Sequence, residues 1–373
     1  MSPGVILAGG ARSHQENYAA AFTAAHCQLL AVGVAPGLDQ DETVRHTELA
    51  ASLGIPLLPL DQAIALPEAQ IASICVSMPH RARVATVCAE AGLSLYLDKP
   101  LAGSLADAQA IAAAVRRARV SAQVFSHTTT SWARAAREAI REGRLGRTVA
   151  IHADMLMAKG RPVAIPSRRR KETAHPADFP EDIAKRELTD MGVYPVSLVT
   201  WLLGRHAVSV NAVTANHFFA EHLERDAEDY GAMLVEFDGG VTASITCGRT
   251  GWHSARMPFL ARVVIVGELE TLVFDNAPAE LTVTTGHGVA LPPENGTDPM
   301  EMWLSTRTGP RQPPLTSTVA LPDDGPGDVA SFVAGLSDGV HYGIGVDEAA
   351  HHCAIIAAAY RSAAEGRPVA VTT

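Results

Sequence analysis

The chain has 373 residues, of which 47% are hydrophobic and 19% charged, so it is long enough to form two domains with substantial cores. Its 30 basic and 40 acidic residues give a formal net charge of −10, which disfavours a nucleic-acid or anionic-membrane surface. We expect a cytoplasmic protein without disulfides, a metal site or a membrane partner, because the five cysteines are scattered with no C-x-x-C spacing and no apolar stretch approaches the roughly 20 residues of a membrane span.

The first third of the sequence alternates short apolar strands with helices. The strands are continuously apolar, as is typical of a parallel sheet covered on both faces, and the short joints imply right-handed βαβ units. We therefore predict a doubly wound, dinucleotide-binding Rossmann domain over residues 1–124. Its strands are expected at 5–8, 29–34, 57–60, 71–76, 93–97 and 120–125, and its helices at about 18–25, 44–53, 83–91 and 105–117.

The remainder, 125–373, is predicted to form an α+β domain with a largely antiparallel, open sheet. Long alternating segments follow one another with turn signals such as Asp238-Gly239-Gly240 between them. An open sheet needs a cover, so we expect a homodimer or homotetramer formed through it. Strands are expected at 148–155, 207–218, 229–236, 240–249, 260–267 and 270–275, helices at about 131–142, 191–203 and 347–365, and loops at 159–186 and 287–328.

Two turns in the first domain are candidates for cofactor contacts. Gly9, Gly10, Ala11 and Arg12 follow the first strand, where glycines let the backbone approach a pyrophosphate at a helix N-terminus. No complete G-x-G-x-x-G is present, so a plain tight turn is an equal alternative. Ser77, Pro79 and His80 follow the strand at 71–76, at the ligand-facing edge of a parallel sheet, although they too could form a simple turn into a helix.

The end of the second strand leaves the choice of nucleotide open. An NAD enzyme usually carries an acidic residue there for the ribose hydroxyls, but the first carboxylate in this chain is Asp39. Arg12 or Arg45 could reach a 2′-phosphate. The sequence therefore predicts NAD or NADP without choosing between them.

Two further motifs carry the reactive groups. Asp98-Lys99-Pro100 follows the apolar strand at 93–97, so the turn holds a lysine at the carboxyl edge of the sheet. Asp190 and Tyr194 are four residues apart at the start of a predicted helix and would share one face, with Pro195 tolerated in the first turn. The alternatives are a surface Asp–Lys pair and an N-capping Asp beside a packed Tyr.

Together these motifs resemble the glucose–fructose oxidoreductase / inositol dehydrogenase / rhizopine-catabolism family. That family has an acidic-Lys-Pro turn after a Rossmann strand and later D-x-G-x-H or D-x-G-x-Y, which here read Asp98-Lys99-Pro100 and Asp190-x-Gly192-x-Tyr194. With Tyr194 at the last position of this motif, the chain is similar to the tyrosine-type branch of the family, which includes dihydrodiol and xylose dehydrogenases. Supporting segments occur in order at 143–146, 237–240, 265–267 and 363–369. The departures are the incomplete glycine loop, Arg83 where a His often follows the Pro turn, and Ser126-His127-Thr128 in place of Asn-x-Arg.

The resemblance implies an NAD(P)-dependent dehydrogenase acting on a sugar, polyol or related cyclic alcohol. Tyr194 would be the general acid/base, its pKa lowered from about 10 by the Lys99 ammonium and a helix N-terminus. Lys99 would polarise the substrate oxygen, Asp190 would hold a second hydroxyl or orient Lys99, and Asp98 would contact the nicotinamide ribose.

Two other functions remain open from the sequence. One is a non-catalytic, cofactor-binding sensor or scaffold of the same fold, which the weakened glycine loop favours. The other is an NAD-dependent glycosidase or lyase. The basic run 168–171 could bind an acidic substrate, but a solvated loop is the favoured interpretation.

Overall fold

The first half of the molecule is built on a six-stranded parallel sheet. The computed structural model describes residues 2–158, 186–251, 259–276, 279–285, 315–321 and 327–372, and the backbone of 168–169. The strand order is β3-β2-β1-β4-β5-β6, and every pairing is parallel, which confirms the doubly wound prediction. The strands are β1 Gly4–Ala8, β2 Gln28–Val34, β3 Leu57–Pro59, β4 Ala69–Ile74, β5 Ser94–Leu97 and β6 Ala122–Val124; the helices are α1 Gln15–Ala24, α2 Gln40–Leu53, α3 Leu60–Ile64, α4 Met78–Glu90 and α5 Leu105–Ala118.

Three helices of this half begin earlier than their apolar periodicity indicates, and the difference is larger for α2 and α4 than for α1. Helix α2 begins after Asp39, whose carboxylate accepts a hydrogen bond from the Glu42 amide at 2.7 Å. Helix α4 begins at Met78, with Pro79 in its first turn. In both helices the first turn is largely polar or proline-containing, so it lacks the apolar spacing on which the prediction depended. Helix α3 was not predicted.

The second half contains a ten-stranded sheet. Its order is β15-β14-β13-β12-β7-β11-β10-β9-β16, with β8 paired to β9, and it is antiparallel except where β7 pairs with β11. The prediction of a largely antiparallel sheet is confirmed. The strands are β7 Thr148–Ala158, β8 Arg168–Arg169, β9 Ala207–Asn216, β10 Tyr230–Phe237, β11 Thr242–Thr250, β12 Phe259–Gly267, β13 Glu270–Asn276, β14 Ala279–Thr285, β15 Leu315–Val319 and β16 Val369–Ala370.

Helices from the second half join the two parts of the chain. Helix α8 lies against β7 and β11, while α11 packs on both β9 and α5. Helix α10 returns to the first half, where Val329 and Phe332 enter the core that contains Phe22 and Tyr96. The helices are α6 Ser131–Arg141, α7 Glu187–Asp190, α8 Val193–Leu203, α9 Ala220–Glu224, α10 Gly327–Asp338 and α11 Val346–Glu365.

The predicted loop at 287–328 is wrong in part, because β15 and the start of α10 lie within it. Strand β15 is mostly exposed and short, so its sequence lacks the half-buried alternation of the other strands. The predicted loop at 159–186 is also wrong in part, because the backbone of Arg168–Arg169, within the basic run, forms β8. Most of the other residues of the two predicted loops lie outside the described residues. The boundary between the two domains at residue 124 stays a prediction. The Val124 amide donates a hydrogen bond of 2.8 Å to the Ile344 carbonyl, which lies in the second predicted domain. None of the helices within the described ranges combines the length and the hydrophobicity that a membrane span requires.

Candidate active site

A cleft of about 720 Å³ lies at the carboxyl ends of β1, β2, β4 and β5. Its walls come from the segments 10–14, 39–46, 75–81 and 98–100, and Thr189 and Asp190 close one end. The strand order reverses between β1 and β4, which is where open α/β sheets bind ligands, and the volume suits a small-molecule site. We call this space the dinucleotide cleft.

The two glycines after β1 are required by tight packing. Gly9 has a φ of 153°, and a Cβ atom there would stand 2.9 Å from the Cys75 carbonyl carbon. A Cβ atom on Gly10 would stand 2.8 Å from the Arg45 backbone. Gly10, Ala11 and Arg12 line the cleft, whereas Gly9 is buried and is not among the lining residues. The cofactor contacts of all four residues stay a prediction.

The backbone at the start of α1 offers donors for an anion. The amides of Arg12 and Ser13 both donate to the Glu16 carboxylate, the second at 3.2 Å. These amides precede the helix on the cleft wall, where a pyrophosphate would accept the same hydrogen bonds. The turn therefore suits a phosphate group, provided that the Glu16 side chain moves away.

Acidic residues dominate the cleft at the end of β2. Asp39, Asp41 and Glu42 line it, and Glu42 Oε2 lies 3.5 Å from His80 Nε2. Ser77, Pro79 and His80 form the facing wall, as the sequence predicts. Asp39 thus lines the cleft although it follows β2 by five residues.

The Asp98 carboxylate lies at the other end of the cleft and is held by side chains around it. His14 Nδ1 is 2.9 Å from Oδ1, and the Tyr18 hydroxyl donates to the same oxygen at 2.5 Å. Burial alone would raise its pKa, but the His14 hydrogen bond and the Arg81 charge outweigh burial and hold the pKa below its usual value. Arg81 also donates to the carbonyls of Val76, Asp98 and Pro100, so it fixes the turn that carries Lys99.

Lys99 points across the interface between the two halves. Its ammonium donates to the Asp190 carbonyl oxygen at 2.8 Å and to Asp190 Oδ1 at 2.7 Å. The same nitrogen lies 4.6 Å from the centroid of the Tyr194 ring. Burial would lower the pKa of Lys99, but the nearby Asp190 carboxylate raises it overall, so the ammonium stays charged. The structure therefore brings together all three predicted catalytic residues.

A chain of buried charges continues behind Asp190. Arg249 donates to Asp190 Oδ2 at 2.6 Å and to Glu187 Oε1 at 2.7 Å. Burial raises the pKa of Glu187 to about 8, although the Arg249 cation opposes that rise. With that pKa the Glu187 carboxyl group is mostly protonated at neutral pH, so Lys99, Asp190 and Arg249 carry the charges. We call these four residues the buried ion chain. Because both carboxylate oxygens of Asp190 have cationic partners within this chain, orienting Lys99 is favoured over holding a substrate hydroxyl.

Tyr194 differs from the prediction in two respects. Asp190 ends α7, whereas Tyr194 lies in the first turn of α8, so the two residues do not share one helix. Gly192 permits this tight joint, since a Cβ atom there would stand 2.4 Å from the Leu188 carbonyl oxygen. The predicted lowering of the Tyr194 pKa is also wrong: burial raises it, and the Lys99 ammonium opposes the rise without cancelling it.

A second cavity of about 330 Å³ adjoins the cleft, and His14 lines both. Tyr194 and His127 form part of its wall, with their rings stacked at a centroid distance of 4.6 Å and an interplanar angle of 16°. Burial and the Lys99 charge lower the pKa of His127 to about 4, so its imidazole is neutral at neutral pH. The other lining residues are His14, Asn17, Tyr18, Ala21, Tyr96, Phe125, Gly327, Asp328 and Val329. We call this space the aromatic cavity.

The sequence did not single out three side chains on which this geometry depends. Arg81 follows the predicted Ser77–His80 turn, Arg249 is a charge at the end of a buried strand, and His127 was noted only as a departure from the family pattern. The sequence could have predicted a buried ion pair at Arg249. This arginine is the one charged residue in segment 241–250, and a buried cation needs a partner of opposite charge.

Two family models match the chain. A model described as an oxidoreductase family with an NAD-binding Rossmann fold matches residues 4–126. A model described as the GFO/IDH/MocA C-terminal domain matches residues 133–273. The matches follow one another along the chain and cover both sides of the site.

Known proteins resemble the chain over most of its length. The curated inositol 2-dehydrogenase of Rhizobium meliloti (strain 1021) is 23% identical over 330 residues, which are 87% of this chain and 87% of that protein. The structure of levoglucosan dehydrogenase in complex with NADH has a TM-score of 0.74 at 18% identity and covers 100% of both chains. GenD2 from gentamicin A biosynthesis, in complex with NAD, has a TM-score of 0.70 at 22% identity and covers 100% of this chain and 97% of that one. These two structures share the fold of this chain.

Proposed function

The chain belongs to the GFO/IDH/MocA oxidoreductase family, as the motifs indicated, and we propose that it is an NAD(P)-dependent dehydrogenase acting on a sugar, a polyol or a related cyclic alcohol. The observation that carries this proposal is the meeting of Lys99 from the first half with Asp190 and Tyr194 from the second. Lys99 and Asp190 line the end of the dinucleotide cleft, and Tyr194 lines the adjoining aromatic cavity. The curated relative, an inositol dehydrogenase, supports an alcohol of this class.

The residues of the dinucleotide cleft fit a nicotinamide dinucleotide. The amides of Arg12 and Ser13 would hold the pyrophosphate, and Asp39 would face the adenosine ribose. Ser77, Pro79 and His80 would form the opposite wall, and Asp98 would lie beside the nicotinamide ribose next to Lys99. The nicotinamide supplies the hydride acceptor or donor when it is bound.

Lys99 would stabilise negative charge on the reacting oxygen, and Tyr194 would transfer a proton to or from that oxygen. In the direction of reduction, the Tyr194 phenol donates its proton to the oxygen while the Lys99 ammonium stabilises the negative charge that develops there. Both groups hold their protons at neutral pH in this structure, which suits that direction. In the direction of oxidation, the same tyrosine must lose its proton before it can accept one from the alcohol.

The nucleotide is NAD rather than NADP in this proposal. Asp39, Asp41 and Glu42 make the end of the cleft near β2 acidic, and a 2′-phosphate there would meet like charge. Arg12 and Arg45 also line the cleft, and the Arg12 guanidinium lies 3.1 Å from Glu48. The acidic wall therefore favours a cofactor whose ribose carries free hydroxyls.

Tyr194→Phe and Lys99→Met test the assignment with purified protein. NAD and NADP are offered with a panel of myo-inositol, D-glucose, D-xylose and levoglucosan, and nicotinamide absorbance is followed. We expect each variant to lower kcat by about 10²- to 10⁴-fold, as loss of a general acid or base does, with cofactor binding retained. Near wild-type turnover in both variants would refute the assignment.

A scaffold without turnover is the second candidate, because the Glu16 carboxylate engages the amides that a pyrophosphate needs. Turnover on the alcohol panel separates the two functions: the dehydrogenase reduces a nicotinamide with one of the alcohols, whereas the scaffold shows no turnover even if fluorescence titration detects binding of NADH.

The assembly through the second sheet also remains a proposal. The outward side chains of Leu234 and Val208 are 52% and 42% exposed on that sheet. A dimer or tetramer would cover them, and the mass in solution measured by light scattering would report it.

A further inference from the structure

The polar groups that line the aromatic cavity are mostly committed to partners in the protein. The Tyr18 hydroxyl and His14 Nδ1 are bonded to Asp98, and the Tyr96 hydroxyl donates to Asp328 at 2.7 Å. The Asp328 carboxylate also accepts from Gln123 at 3.0 Å. Such groups can hold a ligand only by giving up a buried hydrogen bond, which is costly.

His127 is different, because its imidazole makes no hydrogen bond within the described part of the chain. Its ring is instead fixed by aromatic neighbours. It stacks on Tyr194, and its centroid lies 6.0 Å from that of Phe125 and 6.3 Å from that of Phe259, both edge-on. A half-buried imidazole with a fixed plane and unused nitrogens lines the cavity next to the proposed acid/base.

The geometry points to a specific ligand group, and this inference rests on the proposed function. We propose that His127 is a substrate-binding residue that hydrogen-bonds the hydroxyl beside the reacting one, so that the substrate is a cyclic vicinal diol. The rings of His127 and Tyr194 are nearly parallel and 4.6 Å apart. Both side chains line the same cavity, so polar groups on these adjacent rings can contact oxygens on neighbouring carbons of one substrate ring.

The protonation state of His127 suits this role. The neutral imidazole has one donor and one acceptor nitrogen, which match a hydroxyl group that both donates and accepts. Lys99 and buried surroundings keep the ring neutral, so the ring does not add a second cation beside the Lys99 ammonium. The apolar ring faces of Tyr18 and Phe125 offer walls for the C–H faces of a sugar ring.

The test compares wild type, His127→Phe and His127→Gln, with His341→Phe as a matched control at an exposed histidine outside the cavity. The probes are the panel alcohol that the wild type oxidises and its deoxy analogue, which lacks the hydroxyl beside the oxidised carbon. His127→Phe keeps an aromatic ring for stacking and removes the nitrogens, whereas His127→Gln keeps a donor and an acceptor and removes the stacking. Values of kcat/KM are measured for both probes with each protein.

We expect the wild type and His341→Phe to prefer the diol over the deoxy analogue by about 10-fold or more, the selectivity that one hydrogen bond supplies. His127→Phe should bring that ratio close to 1 by losing activity on the diol alone, and His127→Gln should retain part of it. An unchanged ratio in His127→Phe would overturn the inference while leaving the dehydrogenase intact. Failure of the wild type to reduce either nicotinamide with any panel alcohol would overturn the proposed function itself, and this inference with it.

Discussion

The dinucleotide cleft and the buried ion chain use charge in opposite ways. In the cleft, the side chains of the Arg12–Glu48 pair are 69% and 49% exposed, so solvent screens their attraction. In the buried ion chain, the side chains of Lys99 and Asp190 are only 5% and 11% exposed, and each charge depends on its neighbour. We infer that cleft charges adjust which nucleotide binds and how tightly, whereas the ion chain sets the position of the reactive lysine.

The largest expected effect follows from breaking the ion chain at Arg249. Arg249→Met would leave the Asp190 carboxylate and the Glu187 carboxyl group buried without that cation. We expect the free energy of unfolding to fall by about 3–5 kcal/mol, the usual cost of removing one partner from a buried ion pair. Denaturant unfolding followed by circular dichroism measures it.

Arg12→Met is the matched control for this loss, since it removes a cation from an exposed pair. It should change the unfolding free energy by less than about 1 kcal/mol. If the Arg12 and Arg249 variants lost equal amounts of unfolding free energy, the contrast between exposed charges in the cleft and buried charges in the ion chain would be refuted. Arg249→Lys should recover part of the stability without restoring both hydrogen bonds, because lysine cannot donate in the forked geometry.

Asp39→Asn addresses the cleft, with a smaller expected effect. Two unit charges about 4 Å apart interact by about 1 kcal/mol in water, so removing this carboxylate should improve NADP binding relative to NAD by roughly 5-fold. Dissociation constants of both nucleotides come from fluorescence titration. Asp61→Asn, an exposed carboxylate in α3 outside the cleft, serves as the control. A ratio unchanged by Asp39→Asn would show that this wall does not select the nucleotide.

Glu16→Ala should give the smallest effect. It frees the Arg12 and Ser13 amides, and NADH should bind about 2- to 5-fold more tightly, since an anion at a helix N-terminus is worth roughly 0.3–1 kcal/mol. The exposed Glu68 supplies the control Glu68→Ala. Weaker binding in Glu16→Ala would mean that the Glu16 carboxylate organises the turn for the nucleotide rather than competing with it.

The sequence predicted the first sheet more completely than the second, for a physical reason. Strand β1 is buried at all five positions, so its continuous apolar run indicates a central parallel strand directly. Strand β15 is mostly exposed and carries no such pattern. The start of α2 depends on Asp39, a side-chain cap that apolar periodicity does not detect.

The residues of the candidate site also differ in how well the sequence predicts them. Lys99 and Tyr194 follow from local motifs, because a strand end and a helix start fix their positions within a few residues. Arg249 meets Asp190 only through the pairing of β11 with β7 and the tight α7–α8 joint at Gly192, and these contacts are not local in the sequence. The pKa of Tyr194 could not be foreseen either, since its direction depends on how deeply the folded protein buries the phenol.

A crystal structure with NADH and an alcohol substrate bound together tests the central claim most directly. The expected result is a nicotinamide ring at the Lys99 end of the dinucleotide cleft. A substrate carbon about 3–3.5 Å from the ring's C4 would then carry an oxygen within hydrogen-bonding distance of both the Lys99 ammonium and the Tyr194 hydroxyl. A nicotinamide bound at the Asp39 end, or a Tyr194 hydroxyl directed away from the ring, would contradict the claim.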